Sequence, residues 1–186
     1  IGAKIIRNHA ELLGLKTNFT ILDKDDQLAL IKQIIKAENL DQAIYVPKFI
    51  QNKIDQWKNK ALNPQDIKLD SLNGMTDDKS HKIYQIYQKR LFEINCLDFG
   101  DLLLQCINLF TNPDIIKRYS SNFKYILVDE YQDTNAAQYI WLKKLSSTHN
   151  NICCVGDDDQ SIYSWRGAEV DNMIRFEKEF NNASTV

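Results

Sequence analysis

The sequence is poor in the residues that build several common kinds of site. Its six glycines, at positions 2, 14, 74, 100, 156 and 167, nowhere form a Gly-x-x-x-x-Gly-Lys-Ser/Thr pattern. None of them can therefore build a phosphate-cradling loop that opens a helix. Cys96, Cys106, Cys153 and Cys154 show no Cys-x-x-Cys spacing, and the adjacent pair would point to opposite faces of a strand. Buried thiols in a reduced compartment are expected, rather than a metal site or a disulfide. His9, His81 and His149 are scattered without a metal or catalytic pattern. No apolar run approaches membrane-spanning length, and no charged, apolar, then small-residue leader precedes the first helical pattern. The expectation is a cytoplasmic protein with no membrane role. Internal repeats and low-complexity tracts are absent.

What is present describes an ordinary globular chain of 186 residues, 44% hydrophobic and 26% charged, large enough for one sizeable domain or two small ones. Ile1, Ile5 and Ile6, with Lys4 and Arg7 between them, read as mid-helix, so the chain looks cut from something longer. The net charge of −2 conceals an asymmetry. Residues 1–95 hold 15 Lys and Arg against 12 Asp and Glu, whereas residues 96–186 hold 8 against 13. The first part is mildly basic and the second acidic.

The same division appears in the periodicity. Asp23 can cap a helix carrying Leu28, Ile31, Ile34 and Ile35, broken at Asn39-Leu40-Asp41. Pro47 suits the first turn of a second helix, with Ile50, Ile54, Trp57 and Ala61 on one face until Asn63-Pro64. Ser71 to Ser80 reads as a polar turn, and Ile83, Ile86, Tyr87, Leu91 and Ile94 as a third helix. Residues 1–22 then form a preceding helix and link, and 23–95 an all-helical subdomain. From 96 to 186 the pattern alternates. A helix bearing Phe99, Leu102, Leu103, Cys106 and Phe110 ends before Asn112-Pro113, followed by a strand at 124–128, a helix near 135–147, a strand at 151–155 and a helix near 169–180. Alternating strands and helices predict an α/β architecture with parallel pairing.

Both predicted strands end in polar chemistry, the first at Asp129-Glu130-Tyr131-Gln132-Asp133-Thr134 and the second at Gly156-Asp157-Asp158-Asp159-Gln160. In an open α/β sheet the carboxyl ends of the strands form the ligand crevice. Asp129 should emerge at the strand tip as a ligand for a hard cation such as Mg²⁺, which needs few protein carboxylates when phosphates complete its shell. Glu130 could polarise a water for in-line attack on a phosphoryl group. Acidic residues also simply terminate strands, so this pair alone does not decide the matter. Gly156 permits a sharp exit from the sheet, and Gln160 can hydrogen-bond a terminal phosphate or its attacking water. Some of Asp157, Asp158 and Asp159 should be capping or solvated residues. Tyr163, Trp165 and Arg166 follow at once, offering stacking surfaces and a cation suited to single-stranded nucleic acid, although such aromatics are also common in cores.

The runs VDEYQDTN (Val128 to Asn135) and VGDDDQSIYSWRGA (Val155 to Ala168) closely resemble the second and third motifs of the UvrD/Rep/PcrA group of superfamily 1A DNA helicases. Further stretches, IGAKIIRNHA, ILDKDDQLALIKQIIKAENLD and YQIYQKRLFEINCLDFGDLL, extend the resemblance along the chain. The resemblance implies part of a P-loop NTPase (RecA-like) parallel sheet with a mainly helical insertion, ATP and Mg²⁺ as cofactors, and single-stranded DNA and single-strand/duplex junctions as partners. It implies Asp129 as the Mg²⁺ ligand, Glu130 as the catalytic base and Gln160 as the γ-phosphate contact. Tyr163 and Trp165 are implied to meet DNA, with Arg166 coupling the two sites. Lys58-Asn59 matches a pair that lies near DNA, and Lys48, Lys53 and Lys60 fit the same phosphate-facing reading. Gly100 departs from the family's usual Asp-Phe-Asp-Asp-Leu-Leu.

The resulting expectation is an internal piece of an ATP-dependent 3′-to-5′ helicase acting in DNA repair, with repair proteins as further partners. Without the phosphate loop the piece itself should not hydrolyse ATP. Two other readings stay open at this point: a stand-alone nucleic-acid-binding or interaction module, and a metal-dependent nuclease built on Asp129, Glu130 and the triple Asp.

Overall fold

The computed structural model describes residues 1–68 and 75–160, together with Phe176, Phe180, Ala183 and Ser184. The chain divides into two units, residues 1–106 and 107–186. The first opens with α1 (Gly2–Asn8) and a short 3-10 turn, then strand β1 (Thr20–Leu22). Helices α2 (Lys24–Ala37), α3 (Pro47–Asn59) and α4 (Met75–Glu93) follow, then strand β2 (Cys96–Asp98) and α5 (Asp101–Leu109), whose last turn enters the second unit.

Local chemistry sets most of these boundaries. The Asp23 carboxylate accepts the N–H groups of Asp25 and Asp26, each at 2.9 Å, a cap that stabilises α2 by about 1 kcal/mol. Asn39 ends that helix in the left-handed region at φ 53°, a conformation Asn tolerates better than most residues. Pro47 occupies the first turn of α3 as expected, but the helix stops at Asn59, and Ala61, at φ 57°, does not continue its stripe. Of the polar turn expected at 71–80, residues 71–74 lie outside the described residues. Residues 75–80 already belong to α4. Ile94, expected on the buried face of that helix, lies beyond its end and is exposed.

Leu30, Ile31, Ile34 and Ile35 of α2 pack with Ile50, Ile54 and Trp57 of α3 and with Ile83, Tyr84, Tyr87 and Leu91 of α4 in one core. The rings of Trp57 and Tyr84 stack at 5.7 Å, an arrangement worth about 0.5–1.5 kcal/mol beyond the area it buries. Strands β1 and β2 are three residues each, too short for alternation to reveal in the sequence. They pair in parallel, Thr20 with Cys96 and Leu22 with Asp98. The helical block therefore leaves from one strand and returns into its neighbour.

Beneath this core lies a buried polar cluster that revises the reading of Lys58. Its side chain is fully buried rather than turned to solvent, with Nζ 2.7 Å from Asp98 Oδ2 and 2.8 Å from Asp101 Oδ1. Tyr87 Oη and Gln27 Nε2 also donate to Asp98 Oδ2, at 2.9 and 3.1 Å, and Gln88 Nε2 donates to Asp101 Oδ1 at 3.0 Å. A lysine committed to two carboxylates inside the core has no ammonium to offer a DNA phosphate, so the contact expected of Lys58 is corrected. Gly100 belongs to the same cluster. A Cβ there would stand 2.8 Å from Lys58 Cδ and 3.1 Å from its Cβ.

Burial works to lower the Lys58 pKa, but the two carboxylates outweigh it and hold the ammonium above its ordinary range. Burial likewise pushes Asp98 up, yet Lys58 overrides this and keeps that carboxyl below its usual value. Asp101 goes the other way: burial and the neighbouring Asp98 charge raise it from 3.8 to about 6. A raised carboxyl contributes stability that is complete below its unfolded value and lost as pH rises through the folded one. Wild type should therefore lose stability relative to Asp101→Asn between about pH 4 and pH 7. Urea unfolding of both proteins across that range measures it, and a pH-independent difference would contradict the assignment.

In the second unit, α6 (Pro113–Asn122) was not anticipated, because Asn112-Pro113 reads equally as a break. In fact Asn112 Oδ1 accepts the N–H of Asp114 at 2.9 Å and Pro113 takes the first helical position. Strand β3 (Ile126–Val128) leads to α7 (Ala136–Ser146), which starts with a reciprocal Asn135–Gln138 capping box, and then to β4 (Ile152–Cys154). β3 and β4 pair in parallel, Ile126 with Ile152 and Val128 with Cys154. These four residues pack with Tyr131, Tyr139, Leu142, Phe176 and Phe180. The opposite face is not covered among the described residues. Leu127 is 83% exposed and Cys153 is exposed as well, both on the face away from Ile126, Val128, Ile152 and Cys154. Of the other cysteines, Cys96 and Cys106 are buried. Among the described residues no helix is long and apolar enough to cross a membrane.

Candidate active site

The parallel register of β3 and β4 brings the two polar strand ends together. The N–H of Val155 donates to Val128 O at 2.8 Å, and the N–H of Tyr131 donates to Val155 O at 2.9 Å. Two residues, Asp129 and Glu130, are thereby arched out between consecutive bonds to one residue of the partner strand, in the manner of a bulge that re-aims side chains. Glu130 adopts the left-handed conformation, φ 52° and ψ 44°, which costs a residue with a Cβ about 1–2 kcal/mol. Strain of this kind persists only where the surroundings impose it.

Asp129 is exposed at the tip, as expected. Its Oδ1 accepts the Glu130 N–H at 2.9 Å. Its Oδ2 takes no protein donor among the described residues, so a hard oxygen ligand is available for a divalent cation. Among those residues no group of three or more His, Cys, Asp or Glu converges on a metal position. That donor set fits a cation completed by a phosphate-bearing ligand.

Glu130 is exposed, with one oxygen held. Its Oε2 accepts a hydrogen bond from Gln132 Nε2 at 2.6 Å. Gln132 is 1% exposed and its Oε1 in turn accepts the backbone N–H of Asp157 at 3.0 Å. Asp157 organises the next turn. Its Oδ2 accepts from Gln160 Nε2 at 2.6 Å and its Oδ1 from the Asp159 N–H at 3.1 Å. Asp157 is thus the capping residue expected within the triple Asp, and Gln160 is exposed beside it. In the sequence Gln132 is marked only as an amide two residues beyond Glu130 in a polar run. Gly156 also has a different reason from the one expected. Among the described glycines only Gly14 has a positive φ, whereas a Cβ at 156 would lie 2.7 Å from Gln132 Oε1. Close approach, not turn geometry, requires glycine there.

Tyr163, Trp165 and Arg166 lie outside the described residues, as does most of the expected helix at 169–180. Lys58 is buried in the first unit as described above, and the neighbouring Asn59 is half-buried. Lys48 and Lys60 are exposed, whereas Lys53 lies over the Trp57 ring at 5.6 Å.

Two parallel strands thus end side by side in an exposed carboxylate, an arched glutamate and an exposed glutamine, an arrangement of the α/β kind. Comparison with known proteins gives the family: the chain belongs to the UvrD/REP helicase N-terminal domain family, whose model matches residues 1–181. It is 50% identical over 190 residues to DNA helicase II of Rickettsia typhi and 48% identical over 189 residues to a probable DNA helicase II homolog of Rickettsia felis. In each case all of this chain aligns with 29% of the relative. The ATP-dependent DNA helicase PcrA of Staphylococcus epidermidis is 40% identical over 184 residues, 98% of this chain and 25% of that protein. The chain spans less than a third of the length of these curated relatives.

Proposed function

We propose that this chain is the part of an ATP-dependent DNA helicase that carries the hydrolysis side of the nucleotide site. The observation that carries the proposal is the β3–β4 register, which sets Asp129 and Glu130 beside the turn holding Gln160 in a chain matched by the helicase family over residues 1–181. Asp129 would hold Mg²⁺, which when bound neutralises charge on the nucleotide's phosphates. Glu130 orients and deprotonates the attacking water, and its arched, partly strained backbone aims the carboxylate outward from the sheet edge. Gln160 contacts the terminal phosphate, so that occupancy of the site is felt in the turn leading to Tyr163, Trp165 and Arg166, which grip single-stranded DNA by stacking and charge.

In this reading the second unit is part of a RecA-like sheet, and residues 23–95 are a helical insertion near DNA. The return of the chain from Leu22 to Cys96 in adjacent parallel strands supports an insertion. Asn59, Lys48 and Lys60 remain its candidates for DNA contact. The phosphate loop that the sequence lacks is supplied elsewhere in the whole protein, so the 186-residue chain alone does not turn over ATP. The whole protein translocates 3′ to 5′ on single-stranded DNA, opens junctions in DNA repair, and works in the cytoplasm. Unwinding by the full-length protein of duplexes with a 3′ or a 5′ single-stranded tail tests this. The expected result is ATP- and Mg²⁺-dependent opening of the 3′-tailed substrate. Opening of the 5′-tailed substrate alone, or of neither, would overturn it.

A further inference from the structure

The buried Gln132 has a geometry that the proposed roles do not use. Its amide reaches both strand ends at once, donating to Glu130 Oε2 at 2.6 Å and accepting from the Asp157 N–H at 3.0 Å. With the Gln160–Asp157 bond at 2.6 Å, these contacts form an unbroken relay from Glu130 through Gln132 and Asp157 to Gln160. Glu130 and Gln160 are exposed and on flexible side chains, whereas Gln132 is 1% exposed and fixed by packing. Gly156 leaves the space that the Gln132 carbonyl fills, since a Cβ there would meet Oε1 at 2.7 Å.

We infer that Gln132 is a positioning residue that holds the Glu130 carboxylate in its water-activating orientation and ties that orientation to the turn bearing Gln160. This rests on the reading of Glu130 as the catalytic base. An exposed glutamate with its own rotamer freedom is a poor base, because productive geometry must be selected at each turnover, and a misplacement of 1 Å can cost about 100-fold in rate. A buried amide whose other end is anchored to backbone removes that freedom. Its two ends also let the carboxylate and the phosphate-contacting turn move only together. The chain thus links hydrolysis to the segment that leads toward DNA.

The test is a double-mutant cycle in the full-length protein, measuring DNA-stimulated ATP hydrolysis for wild type, Gln132→Ala, Glu130→Gln and the double variant, with nucleotide affinity and thermal stability alongside. Gln132→Ala should lower kcat about 10- to 100-fold, with KM for ATP and Tm close to wild type. In the Glu130→Gln background the same substitution should cost nothing further, because the group it positions is gone. Gly156→Ala, which displaces the Gln132 amide without altering it, should reproduce the kcat-selective loss. Losses that multiply in the double variant, or a loss carried by KM and Tm together, would overturn the inference in favour of a structural role. So would Gln132→Ala and Gly156→Ala proteins with wild-type kcat. A wild type without ATPase, or an undiminished Glu130→Gln protein, would instead remove the reading of Glu130 as base, and the inference with it.

Discussion

Replacing Lys58 by Met is expected to destabilise the first unit by about 3–5 kcal/mol. The methylene stem would be retained and the packing against Tyr84 and Tyr87 nearly so, but two carboxylates would be left inside the core with no cation. Asp98 would keep Tyr87 Oη, Gln27 Nε2 and the Asp101 N–H as donors, and Asp101 would keep Gln88 Nε2 and the Asp98 N–H. Those five bonds explain why the cluster tolerates burial, yet neutral donors do not replace a charge. Because the penalty comes from uncompensated charge, neutralising all three members should be much milder. The triple variant Lys58→Met, Asp98→Asn, Asp101→Asn should recover most of the loss. Urea denaturation followed by far-UV circular dichroism measures both. A Lys58→Met protein within 1 kcal/mol of wild type, taken as roughly the scale of an exposed ion pair, would mean that the ammonium is solvent-exposed after all.

Glu130→Gln in the full-length protein should lower the rate of ATP hydrolysis by about 10² to 10⁴-fold, the usual contribution of a positioned general base. The amide keeps the size of the side chain and can still meet Gln132, so the arch and the strand ends should persist. Binding should be spared, because the cation and phosphate contacts are assigned to Asp129 and Gln160. A kcat effect with unchanged nucleotide affinity is the expected signature. Single-turnover hydrolysis together with equilibrium binding of a non-hydrolysable ATP analogue separates the two. Loss of binding with a preserved hydrolysis rate for bound nucleotide would assign Glu130 to the ground state instead of the chemical step.

The residues that were legible in advance share one property: their signal is local. The helix stripes of α2, α3 and α4 repeat within a few residues, the Asp23 cap stands next to the helix it starts, and β3 and β4 announce themselves as apolar runs cut off by acids. What escaped depends on contacts distant in sequence. A lysine on a helix looks the same whether solvated or buried, and the Asp98 carboxylate that engages Lys58 stands 40 residues away. Three-residue strands such as β1 and β2 carry too little alternation to register, and each exists because the other lies beside it. Gln132 is one amide in a polar turn until Asp157, 25 residues on, supplies the N–H that anchors it. The left-handed backbone of Glu130 had no glycine or asparagine to advertise it, since the arch between two bonds to Val155 imposes it. An apolar run reveals how many faces a strand could bury, not how many its neighbours cover, so the exposure of Leu127 and Cys153 could not be read from it.

The central question is whether the paired strand ends serve ATP hydrolysis that DNA stimulates. The most direct measurement is steady-state ATP turnover by the full-length protein in Mg²⁺, with and without single-stranded DNA, beside the same assay on the 186-residue chain alone. The predicted result is turnover by the full-length protein that rises strongly with DNA, and none by the isolated chain. Robust turnover by the isolated chain, a full-length protein indifferent to DNA, or Mg²⁺-dependent cleavage of DNA without ATP would contradict it.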